Sequence, residues 1–354
     1  MMEHLLPFEK IKREVLIRKE SPTDERYGKS PEKRTVAELL ERGVVNVIKP
    51  KGPTSHQVSA YVQNILNMSK GGHSGTLDPN VTGVLPVAFS KATRIVEYLL
   101  LAGKEYVCIM HLHKEVDEKR LRELISNEFV GKIRQLPPVK SAIKREHRYR
   151  KIYFVDILEI DGQDVLFRIG CQAGTYIRKW CHDLGKSLGV GAHMAQLIRT
   201  KAGPFDESTG VTLQDLTDAH YYWKEKGDDS QLRKIIQPLE TAVGHLPKVW
   251  VFDSTVNSVC HGSDIKVPGI SKVHSEIQVD EFVAIMTLKD ELVGIGKSAM
   301  TSKDMVNSAK GVAVRIDKVF MDPDVYPRFD VAEKKKDDKD KKEIPNLLPV
   351  KVKE

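Results

Sequence analysis

The sequence predicts an α+β protein: a first domain of helices packed on a β-sheet, followed by a small C-terminal β-barrel or sandwich. Helical and strand patterns of apolar residues alternate over roughly the first 245 residues. After Leu246 and Pro247 the pattern changes to short apolar runs separated by glycines and polar turns. A chain of 354 residues is also too long for one ordinary core, so two domains with tails are expected.

The first elements of this domain follow one another closely. Thr35 is suited to cap a short helix that Gly43 ends, and the apolar strand VVNVI comes next. Lys49 opens a turn-rich loop that runs to Ser55, and Ser55 is expected to cap the helix HQVSAYVQNILNM. We therefore expect a strand, a loop and a helix immediately before the glycine-rich segment at residues 71–94.

The rest of the domain contains three clear patterns. Residues 104–112 (KEYVCIMHL) predict a strand, and residues 117–129 (DEKRLRELISNEF) predict a helix. The runs IYFVDILEI and DVLFRIG predict a hairpin that turns at Asp161-Gly162. Tyr176 to Leu188 predicts a helix with its apolar residues on one stripe and Arg178 on a different face.

The C-terminal third is rich in short strands. The runs VWVF, FVAIM, ELVGIG and GVAVRIDKVF predict a module of about 75 residues. The mixed-charge segment EKKKDDKDKKE cannot build a core. We divide the chain into an N-terminal arm (1–40), a first domain (41–245), a β-rich module (246–325) and a charged tail (326–354).

Composition narrows the class of partner. The formal net charge of +7 favours a polyanion such as RNA, although a lysine-rich solvated surface would give the same balance. No apolar stretch approaches the roughly 20 residues of a membrane span. The N-terminus also lacks the order of a secretion signal, so a cytoplasmic location without membrane contact is expected.

The cysteines indicate reduced thiols rather than a metal centre. They form no CxxC pair: Cys108, Cys171, Cys181 and Cys260. A zinc site built from Cys171, Cys181, His182 and His193 is conceivable, but its spacing fits no closed zinc pattern. No metal is expected.

Asp78 is the candidate for chemistry. It lies in GTLDP, within a glycine-rich loop of the kind that often presents functional side chains. An aspartate before proline is also a common turn residue, so the short string alone is weak. The longer string from Gly72 to Leu85, GHSGTLDPNVTGVL, is far more specific.

Several strings occur in a fixed order along the chain. They are KPKGPTSH from Lys49, GHSGTLDP from Gly72, KEYV from Lys104, PPVKSA from Pro137, GTYIR from Gly174 and GVGAHM from Gly189. Together they resemble the TruB-type pseudouridine synthases, and in particular the archaeal dyskerin-like branch, which depends on H/ACA guide RNA. The first string departs from the family pattern, because Ile48 stands where an aspartate usually precedes Lys-Pro.

The resemblance implies a fold and an activity. It implies a pseudouridine synthase domain with a central mixed or antiparallel sheet flanked by helices, and a C-terminal PUA β-barrel with the N-terminal arm packed on it. The reaction breaks the glycosidic bond of uridine and rejoins the base through carbon. A carboxylate can attack covalently or stabilise positive charge on the sugar, and the sequence leaves both roles open for Asp78. No cofactor is expected for an isomerisation.

The resemblance also implies roles for other site residues. Arg178 is expected beside Asp78, where a cation opposes protonation of a buried carboxylate. Tyr106 is expected to stack on the flipped uracil, and Tyr176 to assist proton transfer. His73 is expected near the nucleotide that leaves the RNA helix, since the base must be extracted from its stack. Without the motifs, each would be an ordinary loop, strand or helix-surface residue.

A basic segment is expected to contact RNA phosphates. It follows PPVKSA and forms a thumb loop at about residues 138–151. Its candidate contacts are Lys140, Lys144, Arg145, Arg148 and Arg150, and Lys49 is a further candidate from the first string. An exposed charged loop without a ligand is the alternative.

The leading hypothesis is the catalytic subunit of an archaeal H/ACA particle that modifies rRNA and, as a second substrate, tRNA. Its implied partners are guide RNA, a small zinc-ribbon-type subunit, a Gly/Arg-rich-type subunit and a kink-turn-binding subunit. The alternatives are a stand-alone tRNA pseudouridine-55 synthase and a non-catalytic RNA-binding scaffold.

Overall fold

The computed structural model describes residues 4–137 and 144–328. In chain order its strands are β1 (Val15–Ile17), β2 (Gly43–Lys49), β3 (Gly71–His73), β4 (Thr82–Phe89), β5 (Lys104–Leu112), β6 (Gly131–Gln135), β7 (Arg148–Asp161), β8 (Asp164–Cys171), β9 (Ala192–Ala202), β10 (Phe205–Asp206), β11 (Ile236–Pro238), β12 (Lys248–Val251), β13 (Ile265–Lys266), β14 (Ile270–His274), β15 (Phe282–Met286), β16 (Leu292–Ser298) and β17 (Val312–Val319).

The helices lie around and between these strands. They are α1 (Pro7–Lys10), α2 (Val36–Glu41), α3 (Ser55–Leu66), α4 (Val96–Leu101), α5 (Glu118–Leu124), α6 (Ile177–Leu188), α7 (Leu213–Lys226), α8 (Ser230–Ile235), α9 (Asp253–Cys260) and α10 (Ser302–Asn307). A π-helical turn, Ile125–Phe129, continues α5. Within the described residues, no helix is both long enough and apolar enough to cross a bilayer.

The larger sheet carries the first domain. Its strands run in the order β11-β2-β4-β9-β5-β8-β7-β6, with β3 beside β4 and β10 beside β9. Neighbours are antiparallel except β4 and β9, which are parallel. The predicted mixed sheet flanked by helices is confirmed.

The smaller sheet forms the C-terminal module. Its order is β1-β14-β12-β15-β16-β17-β13, and buried valines and isoleucines fill its interior. Strand β1 comes from the N-terminal arm and pairs antiparallel with β14. The module contacts the first domain through a shared apolar cluster, in which Tyr98 packs edge-on against Phe282 with ring centroids 5.4 Å apart.

Helix α6 shows how the sequence pattern sets the site. Its predicted apolar stripe is buried: Ile177, Trp180, Cys181, Leu184 and Leu188. Trp180 packs on Phe167 of β8 with ring centroids 5.0 Å apart, and its indole nitrogen donates to the Phe129 carbonyl at 3.1 Å. This packing fixes the rotation of the helix and leaves Arg178 exposed on the opposite face.

Two local expectations need correction. Thr54, not Ser55, caps α3: its side chain accepts from the Gln57 amide, and Gln57 in turn accepts from the Thr54 amide. The segment from Arg148 to Lys151 begins strand β7 instead of lying in a loop, because it pairs with β6. Residues 138–143 of the expected thumb, which include Lys140, lie outside the described residues.

Candidate active site

Asp78 and Arg178 form the centre of the site. They lie 100 residues apart in sequence, and an Arg178 Nη2 donates to Asp78 Oδ2. The Asp78 side chain is 51% exposed and that of Arg178 is 58% exposed. The pair is therefore fixed by protein geometry while both groups stay open to an incoming ligand.

The Asp78 loop, residues 74–81, is held by the loop that precedes α3. The Ser55 hydroxyl accepts from the Leu77 amide at 2.8 Å and lies 3.2 Å from the Leu77 carbonyl. The Gly52 amide donates to the Pro79 carbonyl at 2.9 Å. Main-chain contacts on both sides of Asp78 thus restrict where its carboxylate can point.

Lys49 lies inside the protein, and not on the surface where an RNA contact was expected. It is fully buried, and its ammonium donates to the carbonyls of Pro50 at 2.9 Å, Pro79 at 3.1 Å and Val81 at 2.9 Å. Burial lowers the pKa of Lys49, and the Asp78 carboxylate opposes that shift. A fully buried ammonium cannot contact a phosphate, so the structure corrects this prediction.

Tyr106 lies on strand β5, near the Asp78–Arg178 ion pair. Its side chain is half-buried. Burial raises the pKa of its hydroxyl, while the guanidinium of Arg199 on the neighbouring strand opposes the shift. A neutral aromatic ring that remains partly accessible offers a flat surface to a nucleobase.

Tyr176 caps the start of α6, two residues before Arg178. Its amide donates to Gln135 Oε1 at 3.0 Å, and Gln135 Nε2 donates to the Tyr176 carbonyl at 3.1 Å. Gln135 is itself buried. These two hydrogen bonds fix the backbone of Tyr176, whose side chain is half-buried.

His73 ends strand β3, five residues before Asp78. It packs edge-on against His56 of α3, with ring centroids 4.7 Å apart. Burial is the main cause that lowers the pKa of His73 to about 4. The ring is therefore neutral near pH 7, which suits packing against a base better than pairing with a phosphate.

A cleft adjoins the ion pair. Its volume is about 510 Å³, within the range of small-molecule sites. The lining residues are Lys51, Asn80, Val81, Thr82, Arg178, Met194, Ala195, Gln196 and Leu197. Polar groups and apolar surface both line this cleft, and Arg178 is the member of the ion pair that lines it.

The residues expected to contact phosphates differ in how far they are exposed. Arg145 is exposed, whereas Arg148 and Arg150 are half-buried on β7. Lys144 is exposed and ion-paired with Glu146. Arg150 donates to the Tyr149 carbonyl at 2.8 Å. The structure thus leaves Arg145 freer than Arg150 to meet RNA.

The cysteine alternative finds no support in the geometry. Cys108, Cys171 and Cys181 are buried, and no group of three metal-ligating side chains among the described residues is arranged to hold a metal ion. Burial raises the pKa of the Cys171 thiol to about 12, so this group stays protonated.

The chain matches four known family profiles in succession. Residues 4–59 match the DKCLD domain and residues 63–177 the N-terminal domain of TruB family pseudouridylate synthases. Residues 178–244 match the C-terminal domain of tRNA pseudouridylate synthase B, and residues 247–320 match the PUA domain.

Similar proteins share nearly the whole chain. A probable tRNA pseudouridine synthase B of Thermococcus onnurineus is 55% identical over 93% of this chain and 98% of its own. A crystal structure of a Cbf5-Nop10-Gar1 complex contains a chain that is 54% identical, with a TM-score of 0.87 over 92% of this chain and 99% of that one. An H/ACA RNP bound to a substrate RNA containing 2'-deoxyuridine contains one that is 53% identical, with a TM-score of 0.85 over the same shares.

Proposed function

The chain belongs to the TruB family of pseudouridine synthases, and we propose that Asp78 is the carboxylate with which it isomerises uridine in RNA. The observation that carries this proposal is the Asp78–Arg178 ion pair beside a cleft of about 510 Å³. A fixed carboxylate at such a cleft can reach the sugar of an everted nucleotide. It can then attack covalently or stabilise developing positive charge.

The neighbouring residues take the remaining roles in the reaction. Arg178 orients the Asp78 carboxylate, and the Tyr106 ring supports the detached uracil while it turns. Tyr176 is close enough to Arg178 to assist proton transfer at the base. His73, neutral and packed on His56, fills space near the point where the nucleotide leaves the helix. The chemistry needs no redox step.

We assign this activity to an archaeal-type H/ACA particle. Similarity over nearly the full chain to a protein crystallised with Nop10 and Gar1, and to one bound to substrate RNA, supports guide RNA and both small subunits as partners. A kink-turn-binding subunit, rRNA targets and a cytoplasmic location complete the proposal. The name shared by the archaeal relatives supports tRNA as an additional substrate.

The test replaces Asp78 with Ala and with Asn. Both variants should form no pseudouridine in target RNA at any guide concentration, while their affinity for RNA stays within about twofold, because the carboxylate contributes nothing to phosphate binding. Asp183→Asn is the matched control. This residue lies on α6, is paired with Lys179, and should leave the rate unchanged. Isomerisation by Asp78→Ala would remove this residue from the chemistry.

Guide dependence separates the proposal from its alternatives. The pure protein is mixed with tRNA alone and with target RNA plus guide, and pseudouridine is mapped in both. Redirection of the modified site by a new guide supports the particle. Modification of tRNA alone would favour a stand-alone enzyme, and RNA binding without any pseudouridine would favour a scaffold.

A further inference from the structure

Arg199 on strand β9 is a buried cation that the proposed chemistry does not use. Only 1% of its surface is exposed, and no carboxylate of the described residues is among the groups that act on its guanidinium. Burial lowers the pKa of its guanidinium. Burying an unpaired charge is expensive unless hydrogen bonds compensate it, so the acceptors it faces are informative.

One acceptor lies in the Asp78 loop and the other in strand β4, which follows the loop. Arg199 Nε donates to the Val84 carbonyl at 2.7 Å, and Nη2 donates to the Gly75 carbonyl at 3.2 Å. Gly75 precedes Asp78 by three residues and Val84 follows it by six. One rigid guanidinium therefore spans the base of the loop, which a single-point ammonium cannot do in the same way.

The strand register places Arg199 between the loop and Tyr106. Strand β9 runs parallel to β4 with Gly83 opposite Arg199, and antiparallel to β5 with Tyr106 opposite Arg199. The approach to β4 is very close: a Cβ at Gly83, whose φ is +107°, would lie 2.2 Å from the Arg199 carbonyl oxygen. Any larger residue at position 83 would separate the two strands.

A β-bulge strengthens this arrangement. Glu105 pairs with Lys201 and Tyr106 pairs with Arg199, so Thr200 is the extra residue. The Thr200 hydroxyl donates to Glu105 Oε1 at 2.8 Å, which stabilises the bulge. Bulges re-aim neighbouring side chains and are common next to active sites.

We propose that Arg199 is a positioning residue: its guanidinium holds the start of the Asp78 loop and strand β4 against strand β5 and so sets the Asp78 carboxylate relative to the Tyr106 ring. This inference rests on the proposed function. Arg199 acts through Asp78 and Tyr106 and does not itself touch the substrate, so its loss should slow the isomerisation step far more than it weakens RNA binding.

The test compares Arg199→Met and Arg199→Lys in single-turnover reactions of the assembled particle. Buried hydrogen bonds to a charged group contribute about 1.5–3 kcal/mol, so the Met variant should react roughly 10- to 100-fold more slowly with RNA affinity within about twofold. The Lys variant should recover part of the rate, because it keeps the charge but loses the two-point fork. Equal rates for Met, Lys and wild type would overturn the proposal.

Lys104→Met supplies the matched control. Lys104 is another buried cation on the same sheet, and its ammonium donates to the carbonyls of Leu99, Leu100 and Ala102, away from Asp78. Its loss should lower the melting temperature without a comparable loss of rate. If both Met variants lose rate in proportion to melting temperature, Arg199 is merely structural.

A double-mutant cycle tests the link to Tyr106. If Arg199 sets the geometry between loop and ring, replacing it in a Tyr106→Phe background should lower the rate by a different factor than in wild type. Strictly independent effects would count against the proposal. Failure of the wild-type particle to form pseudouridine would instead refute the proposed function, so the two failures are distinguishable.

Discussion

Lys49 and Arg178 are two cations near the Asp78 carboxylate, and their different burial gives them different roles. Lys49 is fully buried and its three donors are taken by carbonyls, whereas the Arg178 side chain is 58% exposed. Both occur in strings that are similar to family motifs, and the sequence offers no sign of this difference. Lys49 stabilises the loop that presents Asp78, and Arg178 pairs with Asp78 on the exposed side of the same loop.

Replacing Lys49 with Met should therefore act on stability and rate, not on RNA affinity. Three main-chain acceptors would lose their donor, which should lower the free energy of unfolding by on the order of 3 kcal/mol. A looser Asp78 loop should also slow isomerisation. Denaturant unfolding and RNA titration check this.

Lys51 offers the control for Lys49. It is exposed and lines the cleft two residues away. Lys51→Met should leave unfolding unchanged and weaken RNA binding slightly. If Lys49→Met weakens RNA binding and leaves stability intact, the RNA contact expected from the sequence would be restored.

At the scale of elements, periodicity predicted most of what local sequence can encode. The strand from Lys104 to Leu112, the hairpin at Asp161-Gly162 and the buried stripe of α6 all follow from patterns repeated over several residues. The same patterns placed Arg178 on the open face of α6. Only the family resemblance predicted the contact between Asp78 and Arg178, because no local pattern links residues 100 positions apart.

The errors arose where a long-range partner decided the outcome. Ser55 was expected to cap α3, yet its hydroxyl is engaged by Leu77, and Thr54 takes the cap. No motif predicts the position of Arg199, because the contacts of an arginine in a strand depend on the strands beside it. Its position within the partly apolar run AQLIRTKAGPF was the one available signal.

Strand β7 carries a prediction about RNA. Arg145 precedes the strand and Arg148 begins it. If both contact phosphates, replacing them with Gln should weaken RNA binding and reduce the slope of log affinity against log salt by about 0.7–0.9 per lost contact. Arg150 is excluded from the variant, because it is half-buried and donates to the Tyr149 carbonyl.

The control for this pair is Arg122→Gln on α5. Arg122 is exposed and paired with Glu118, so its loss should not alter the slope. Binding is measured across a salt series for each variant. An unchanged slope in the Arg145/Arg148 variant would mean that this part of the thumb makes no phosphate contact.

At the scale of the whole molecule, Glu240 joins three parts of the chain. It forms a two-point ion pair with Arg34 of the arm, both bonds 2.8 Å long, and accepts from the Leu292 amide of β16 at 2.8 Å. The arm also supplies β1 to the smaller sheet. Polar contacts thus hold the arm to the other two parts, and an apolar cluster joins the first domain to the C-terminal module.

The buried His245 and the half-buried His274 at this junction make folding stability depend on pH. His245 packs against Phe8 of the arm, and His274 accepts from the Lys248 amide at 3.1 Å. Burial, reinforced by the nearby cations, lowers the pKa of each histidine to about 4. The unfolded chain binds these protons near pH 6.5 and the folded chain does not, so folding stability falls as pH drops from 6.5 towards 4.

A pair of variants measures that contribution. Below pH 6.5 each histidine should lower the free energy of unfolding by up to about 1.4 kcal/mol per pH unit. His245→Gln with His274→Gln should reduce the slope and leave the part due to His73, whose pKa is also lowered to about 4. The window from pH 6.5 to 5 avoids Asp24 and Glu38, whose pKa values are lowered to about 2 and whose contributions are lost only in stronger acid. Denaturant unfolding at several pH values checks this. If the double variant keeps the wild-type slope, other groups bind the protons, and neither histidine makes stability depend on pH.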